Sequence, residues 1–348
     1  MKVLIHKPNI NISKIHSSNW MFPWIEYCEN NNIEYTAIDL LEVDTIDILR
    51  NYDVLLWHFG QYNYSEMLEA RSILYCAEQM GVKTFPGFKD SWHFDDKIAE
   101  MYALQTADAP IPDSKVFYNM RSFQEWLDTN PKIPLVAKLR TGSGSHNVKL
   151  LKSKYDLIKY AKRMFGKGYN PSPSLIYKTT SNIKSTHDKS SFMAKLKRVP
   201  EFIRTLKGAK KFPHEKGYVY LQEFIPNDGF DMKVVVVGDK CTGLHRPIRS
   251  HDFRASGGGE VLYDKSLFSE DIIRSAFSVA DALNLQCVGF DYVIDTRTNK
   301  GVIVEMSYGF SHTAVMGMNG YFDRECNWHN GAINAPHELL KNLIEKNE

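Results

Sequence analysis

Two stretches near the C-terminal end each set one carboxylate inside an apolar run: Gly289-Phe290-Asp291-Tyr292-Val293-Ile294 and Gly301-Val302-Ile303-Val304-Glu305-Met306-Ser307. If the runs pair as a hairpin across 295–300, Asp291 and Glu305 lie on neighbouring strands with convergent oxygens. Carboxylates that close repel unless a cation or proton sits between them, and Mg2+ prefers few carboxylates plus phosphate oxygens. The other reading, two exposed strand carboxylates, sits poorly with the apolar residues around both. A second candidate is Pro134-Leu135-Val136-Ala137-Lys138-Leu139-Arg140-Thr141-Gly142-Ser143-Gly144-Ser145. A strand carrying a lysine runs into a small flexible loop, which can offer backbone N–H groups to an anion beside a point charge. No G-K-[ST] follows the glycines, so this is not a Walker A loop; an ordinary hairpin turn is the alternative. A third set is Leu221-Gln222-Glu223-Phe224-Ile225-Pro226, then Gly229-Phe230-Asp231-Met232-Lys233-Val234, then Arg246, then His251-Asp252-Phe253-Arg254 ahead of Gly257-Gly258-Gly259. Its arginines and glycines suit a phosphate or a transferring phosphoryl group, and each piece alone also reads as surface charge or a turn.

These residues need elements to hold them. The N-terminal part alternates short apolar runs (3–5, 33–38, 53–57, 82–85) with helical stretches (19–28, 65–80), which predicts a small parallel sheet covered on both faces. No G-x-G-x-x-G follows the first run, so a dinucleotide-binding reading has no support there. A second unit carries a helix over 95–106 containing Asp96-Lys97, a strand over 114–117, a helix over 122–127, and a hairpin of 134–139 with 148–151. In a third, strands over 218–224, 232–237, 241–244, 289–295 and 301–306 with a helix over 269–283 give a mostly antiparallel sheet with one helical face. The expected class is α/β plus α+β, with boundaries 1–90, 91–164, 165–216 and 217–348.

The chain has 348 residues, 43% of them apolar and 24% charged, which excludes a wholly disordered polymer. Its net charge of +2 does not suggest a globally basic nucleic-acid binder. Cys28, Cys76, Cys241, Cys287 and Cys326 form no C-x-x-C pair. Zinc-ribbon and thioredoxin-like motifs are therefore not expected, and reduced thiols in a cytoplasm are. The apolar start is too short for a signal-peptide core, and no run of about 18 apolar residues predicts a membrane span.

The order of the pieces resembles the ATP-grasp superfamily, with ligases similar to ribosomal-protein glutamate ligase and glutathione synthetase. The matching run is Asp96-Lys97, Pro134 to Ser145, Gln222-Glu223-Phe224-Ile225, Asp231-Met232-Lys233, Asp252-Phe253-Arg254, Gly257-Gly258, Gly289-Phe290-Asp291 and Glu305-x-Ser307. The resemblance covers about Asp95 to Ser311 and implies an ATP-grasp fold behind an N-terminal α/β (pre-ATP-grasp) domain. It implies that Lys97 and Lys138 contact ATP phosphates, with the loop holding Gly142, Ser143 and Gly144 closing over them. Gln222, Glu223, Phe224 and Ile225 would be the hinge whose backbone reads adenine, and Asp231 would take ribose hydroxyls. Lys233, Arg246 and Arg254 would face the γ-phosphate and an acyl phosphate, and Asp291, Glu305 and Ser307 would hold Mg2+. Ser307 stands where that family carries Asn, and Ala255-Ser256 where the ribosomal-protein ligases carry Ser-Asn.

A basic stretch falls outside this pattern. From Lys184 to Lys216 there are 10 Lys/Arg against 3 Asp/Glu, so the rest of the chain is net acidic. Phe192, Leu196, Val199, Phe202, Ile203 and Leu206 recur at helical spacing, and Pro200 predicts two short helices. Two readings stand, and they are compatible. One is a platform for a large anionic acceptor or for peripheral contact with an anionic membrane surface. The other is a helical subdomain whose apolar stripe packs on the body. Tyr308, His312 and the run Cys326-Asn327-Trp328-His329 follow the acidic strands; they read either as a border of the acceptor site or as polar surface loops with one aromatic anchor.

Together these readings imply an ADP-forming carboxylate–amine ligase using ATP and Mg2+. Its partners would be an amine and an anionic acceptor such as an acidic peptide or a cell-surface polysaccharide, not nucleic acid. Two alternatives stand beside it: an ATP-grasp-like kinase acting on an anionic small molecule, and a non-catalytic nucleotide-binding protein.

Overall fold

The computed structural model describes residues 1–10, 19–61, 63–142, 147–170, 213–247 and 261–345. The chain runs β1 (Lys2–His6), α1 (Met21–Asn30), β2 (Glu34–Ile38), α2 (Thr45–Leu49), β3 (Val54–Leu56), α3 (Tyr64–Gln79), β4 (Lys83–Phe85) and α4 (Phe88–Ser91). It continues through α5 (Lys97–Thr106), β5 (Ser114–Phe117), α6 (Met120–Asp128), β6 (Leu135–Lys138), β7 (Val148–Leu151), α7 (Lys154–Phe165) and β8 (Val219–Glu223). The last part holds β9 (Phe230–Val237), β10 (Lys240–Pro247), α8 (Glu270–Ala282), β11 (Cys287–Asp295), β12 (Lys300–Ser307), α9 (His312–Met316), β13 (Gly320–Phe322), β14 (Trp328–Asn330) and α10 (Ala335–Glu345). Two compact units result, one of residues 1–94, 102–111 and 226–348, the other of residues 95–101 and 112–225.

The larger unit contains the parallel sheet β2-β1-β3-β4. Val3-Leu4-Ile5 and Val54-Leu55-Leu56 are wholly buried, as strands covered on both faces must be. α3 begins where the Asn63 side chain accepts the Glu66 N–H and ends at Gly81, whose φ of 83° suits glycine.

The same unit contains the antiparallel sheet β12-β11-β9-β10-β13-β14. Alternation along β9 feeds two cores. Met232, Val234 and Val236 pack with Ile272, Ile273, Ala276 and Phe277 of α8. Val235 and Val237 join the core containing Trp20, Trp24, Phe85, Leu339 and Leu340. Strand parity puts Asp231 and Lys233 on the face of Val235 and Val237, nearer the start of β9. β10 approaches so closely that a Cβ on Gly243 would lie 2.1 Å from the Lys233 carbonyl.

Asp90, at the end of β4's connection, is 3% exposed and accepts the Gln286 N–H at 2.8 Å. Burial pushes its carboxyl up to about 7. The folded state thus holds a proton that the unfolded chain releases near the usual carboxylate value. Stability from this group is present at low pH and falls as pH rises towards 7. Asp90→Asn should therefore raise the melting temperature more at pH 8 than at pH 5, measured by thermal unfolding in two buffers.

The smaller unit is the antiparallel sheet β5-β8-β6-β7, packed on one side by α6 and α7. Phe123 and Leu127 of α6 and Leu157, Tyr160, Ala161 and Met164 of α7 supply its helical core.

The element types read from the sequence hold, including the hairpin β11–β12 closed at Asp295–Lys300. The grouping differs. β8 was expected with the C-terminal strands, but it pairs with β5 and β6, so the unit boundary falls after Ile225. The N-terminal sheet shares a core with the C-terminal sheet instead of standing alone at 1–90. α7, α10 and the β13–β14 hairpin had no sequence expectation. Among the described residues no helix is long and apolar enough to cross a membrane.

Candidate active site

Four adjacent strands of the larger unit place charged side chains in one row. Glu305 on β12 is in register with Asp291 on β11, and Asp291 with Lys233 on β9. Asp231 on β9 is in register with Arg246 on β10. Side chains opposite each other share a face, so all five project to the same side, and Ser307, two residues beyond Glu305, joins them. A register shift just after Asp291 displaces the next pair. Such irregularities often sit beside functional residues and re-aim side chains.

The row is tightly paired. Lys233 Nζ lies 2.5 Å from Asp291 Oδ1. Arg246 donates to both oxygens of Asp231, Nε at 2.8 Å and Nη2 at 2.7 Å, and Nη2 is 3.1 Å from Asp291 Oδ2. Asp231 is 4% exposed and Asp291 8%. Burial, then the neighbouring Asp291 charge, pushes the Asp231 carboxyl up to about 6. Asp291 is buried too, but Arg246 and Lys233 outweigh that and hold it down at about 2. Asp291 is thus the firmly ionised member and the natural cation ligand. The expectation that Asp231 takes ribose hydroxyls does not fit this geometry, because both its oxygens are committed to the Arg246 fork. Asp231 instead orients Arg246.

The Ser307 Oγ accepts the Gly309 N–H at 3.0 Å. With Asp291 and Glu305 it makes an all-oxygen donor set, which suits a hard cation. Among the described residues no three His, Cys, Asp or Glu side chains converge on one metal position. A cation here would therefore take two carboxylates and complete its shell with other oxygens, such as those of a phosphate.

In the smaller unit, Lys97 opens α5 and Lys138 ends β6, and each is 7% exposed. The Lys97 N–H bonds the Arg140 carbonyl at 2.9 Å, which ties the start of α5 to the residues after β6. Gln222 and Glu223 lie inside β8, flanked by β5 and β6, and the Glu223 N–H goes to the Asp113 carbonyl at 2.7 Å. Phe224 and Ile225 follow the end of the strand.

The stem of the glycine-rich loop is held by side chains. The Arg140 N–H donates to Tyr218 Oη at 2.6 Å, the Thr141 N–H to Glu215 Oε1 at 3.2 Å and the Gly142 N–H to Asp95 Oδ1 at 2.8 Å. This corrects the expectation for Gly142: its amide is engaged within the protein, so it belongs to the stem. Its φ of 113°, and a Cβ position 2.3 Å from Asn147 Nδ2, require glycine. Ser143, Gly144 and Arg254 lie outside the described residues, as does 171–212, which holds most of the basic stretch.

Sequence reading missed Asp95, Arg140, Thr141, Glu215 and Tyr218 as stem residues. Only their nearness to Lys97 and to the glycines marked the first three, and nothing local marked Glu215. Tyr308 and His312, read as bordering an acceptor site, are buried, and the Tyr308 hydroxyl bonds the Phe59 carbonyl at 2.6 Å. His312 meets Trp20 edge-on. Trp328 packs on Phe322 and His329 on Asp323, which is the anchored surface-loop arrangement.

Residues 176–317 match the family model described as RimK-like ATP-grasp domain. The structure resembles that of a RimK domain ATP-grasp protein from Sphaerobacter thermophilus, at 13% identity and a TM-score of 0.53 over 99% of this chain and 100% of the other. This is the ATP-grasp fold. D-alanine–D-alanine ligase from Bacillus anthracis, solved with ATP, is similar at 13% identity and a TM-score of 0.56 over 99% of both chains. So is the ATP-grasp ligase PsnB, solved with a minimal precursor, Mg and ADP, at 14% identity and a TM-score of 0.54 over 100% of this chain and 97% of the other. No curated protein sequence matches the chain in a direct search. The α/β and α+β elements expected from the resemblance to the ATP-grasp superfamily are those of this fold.

Proposed function

We propose that the protein is an ATP-dependent carboxylate–amine ligase. The observation that carries this reading is the buried row Asp231–Arg246–Asp291–Lys233 beside Glu305. It holds two cations in fixed positions next to a pair of carboxylates suited to Mg2+, which is what phosphoryl transfer requires. The fold, shared with ligases whose structures hold ATP or Mg and ADP, supports it.

In this reading, Lys97 and Lys138 neutralise ATP phosphates, helped by the loop of Ser143 and Gly144, and the backbone from Gln222 to Ile225 reads adenine. Asp291 and Glu305, with Ser307, hold Mg2+, which when bound offsets charge on the phosphates. A substrate carboxylate oxygen attacks the γ-phosphorus and ADP leaves. The amine then attacks the acyl carbon, loses a proton, and phosphate departs as the amide forms. Arg246, Lys233 and Arg254 stabilise negative charge on the phosphoryl group during transfer and on the acyl phosphate. Asp231 keeps the Arg246 fork in place, since only a planar guanidinium can engage two oxygens at once.

The basic stretch within 184–216 supports an anionic acceptor, such as an acidic peptide or a cell-surface polysaccharide, and a cytoplasmic setting fits ATP use and the unpaired thiols. A phosphorus NMR time course with ATP, Mg2+ and pooled acids and amines tests the reading. ADP and free phosphate should form only when an acid and an amine are both present. A stable phosphoester would mean a kinase, and AMP with pyrophosphate would exclude an acyl phosphate.

A further inference from the structure

The base of the glycine-rich loop is organised by one acidic residue 74 positions away in the sequence. Glu215 is 7% exposed. Its Oε1 accepts both the Thr141 N–H at 3.2 Å and the Thr141 hydroxyl at 2.7 Å, and its Oε2 accepts the Tyr218 hydroxyl at 2.7 Å. The Tyr218 oxygen in turn accepts the Arg140 N–H at 2.6 Å. One carboxylate therefore fixes two consecutive amides of the stem, one directly and one through a phenol. The Arg140 guanidinium lies over the Tyr218 ring, 5.6 Å from its centroid, and reaches Asp96 at 2.6 Å.

The backbone of Glu215 is held as firmly as its side chain. Its N–H donates to the Tyr169 carbonyl and its carbonyl accepts the Tyr169 N–H, both at 2.9 Å. Gly168 sits so close that a Cβ there would lie 2.3 Å from the Glu215 carbonyl. Glu215 thus has no freedom to follow the loop; the loop must follow it. A buried, fully hydrogen-bonded carboxylate of this kind costs desolvation energy, which an isolated turn would have no reason to carry.

We propose that Glu215 is a positioning residue for nucleotide phosphates: through Thr141 and Tyr218 it sets the direction in which the loop after Gly142 leaves the sheet. The proposal rests on the ATP reading given above. With residues 140–142 bonded inside the protein, recognition of phosphate falls to the part of the loop beyond them. Any loosening at Glu215 is then felt as misplacement of donors from the phosphates, while adenine recognition by the hinge is untouched.

The test compares two ligands by calorimetry with Mg2+ present: AMPPNP, which carries the triphosphate, and adenosine, which does not. Glu215→Gln keeps the shape but cannot accept from Thr141 and Tyr218 together. It should weaken AMPPNP binding about tenfold and leave adenosine within about twofold. Thr141→Val, which removes only the hydroxyl, should act in the same direction with a smaller effect. Glu215→Gln combined with Tyr218→Phe should lose less than the sum of the single losses, because both act through one carboxylate. Equal losses for AMPPNP and adenosine would show general damage to the unit and overturn the positioning role. Unchanged AMPPNP binding in Glu215→Gln and Thr141→Val would also overturn it, with the ATP reading intact. If the wild-type protein binds AMPPNP no more tightly than adenosine, the ATP reading fails and this proposal with it.

Discussion

Replacing Asp291 by Asn is expected to lower ATP turnover about a thousandfold. Asp291 meets Lys233 at 2.5 Å and Arg246 at 3.1 Å, and Glu305 stands in register with it across β11 and β12. The substitution removes a cation ligand and also leaves two buried cations with one carboxylate fewer. Breaking a buried pair in this way typically costs about 3–5 kcal/mol. Loss of activity in that variant alone could therefore come from damaged packing. Glu305→Gln separates the two causes, because Glu305 is only half-buried. Its folding should be close to wild type while its apparent Mg2+ requirement rises about tenfold or more, read from phosphate release across a Mg2+ titration. An unchanged Mg2+ requirement in Glu305→Gln, with turnover in Asp291→Asn within about tenfold of wild type, would remove the metal role from both residues.

The second large effect is expected at Lys138. Its ammonium is buried at the end of β6, whose backbone is fixed on both sides, with Lys138 opposite Tyr220 on β8 and Val148 on β7. Lys138→Ala should therefore leave the strand in place and remove a positive charge at the root of the glycine-rich loop. Loss of one such contact to developing phosphate charge typically costs about a hundredfold or more in rate. We expect kcat/KM for ATP to fall by about that factor, measured by initial rates of ADP formation, with adenosine binding retained. A KM for ATP and a kcat both within twofold of wild type would place Lys138 outside the nucleotide site.

The sequence carried most of this site because its main parts are local. Asp291 and Glu305 could be paired in advance, since a short connection between two apolar strands leaves one simple hairpin register. Lys138 before the glycines was readable for the same reason. What failed was information held by distant segments. Asp231 was expected to face a sugar, and only the register of β9 with β10 shows that Arg246 takes both its oxygens. β8 looked like part of the C-terminal sheet because it lies next to β9 in sequence. Its partners β5 and β6 lie about 80 to 110 residues earlier, a separation that apolar periodicity cannot bridge. Glu215 was invisible for a further reason: it lies among lysines in a basic stretch, where an acid reads as a surface counter-charge.

The acyl-phosphate step is the centre of the account, and an isotope label follows it directly. Using an acid found productive in the phosphorus NMR screen, the reaction is run with both carboxylate oxygens replaced by oxygen-18. If a carboxylate oxygen attacks the γ-phosphorus and later leaves with it, each free phosphate formed carries one oxygen-18, seen as an upfield shift of its phosphorus signal, and the amide keeps the other. Phosphate free of the label, with amide formed in equal amount, would contradict the mechanism and with it the roles assigned to Arg246, Lys233 and Asp291.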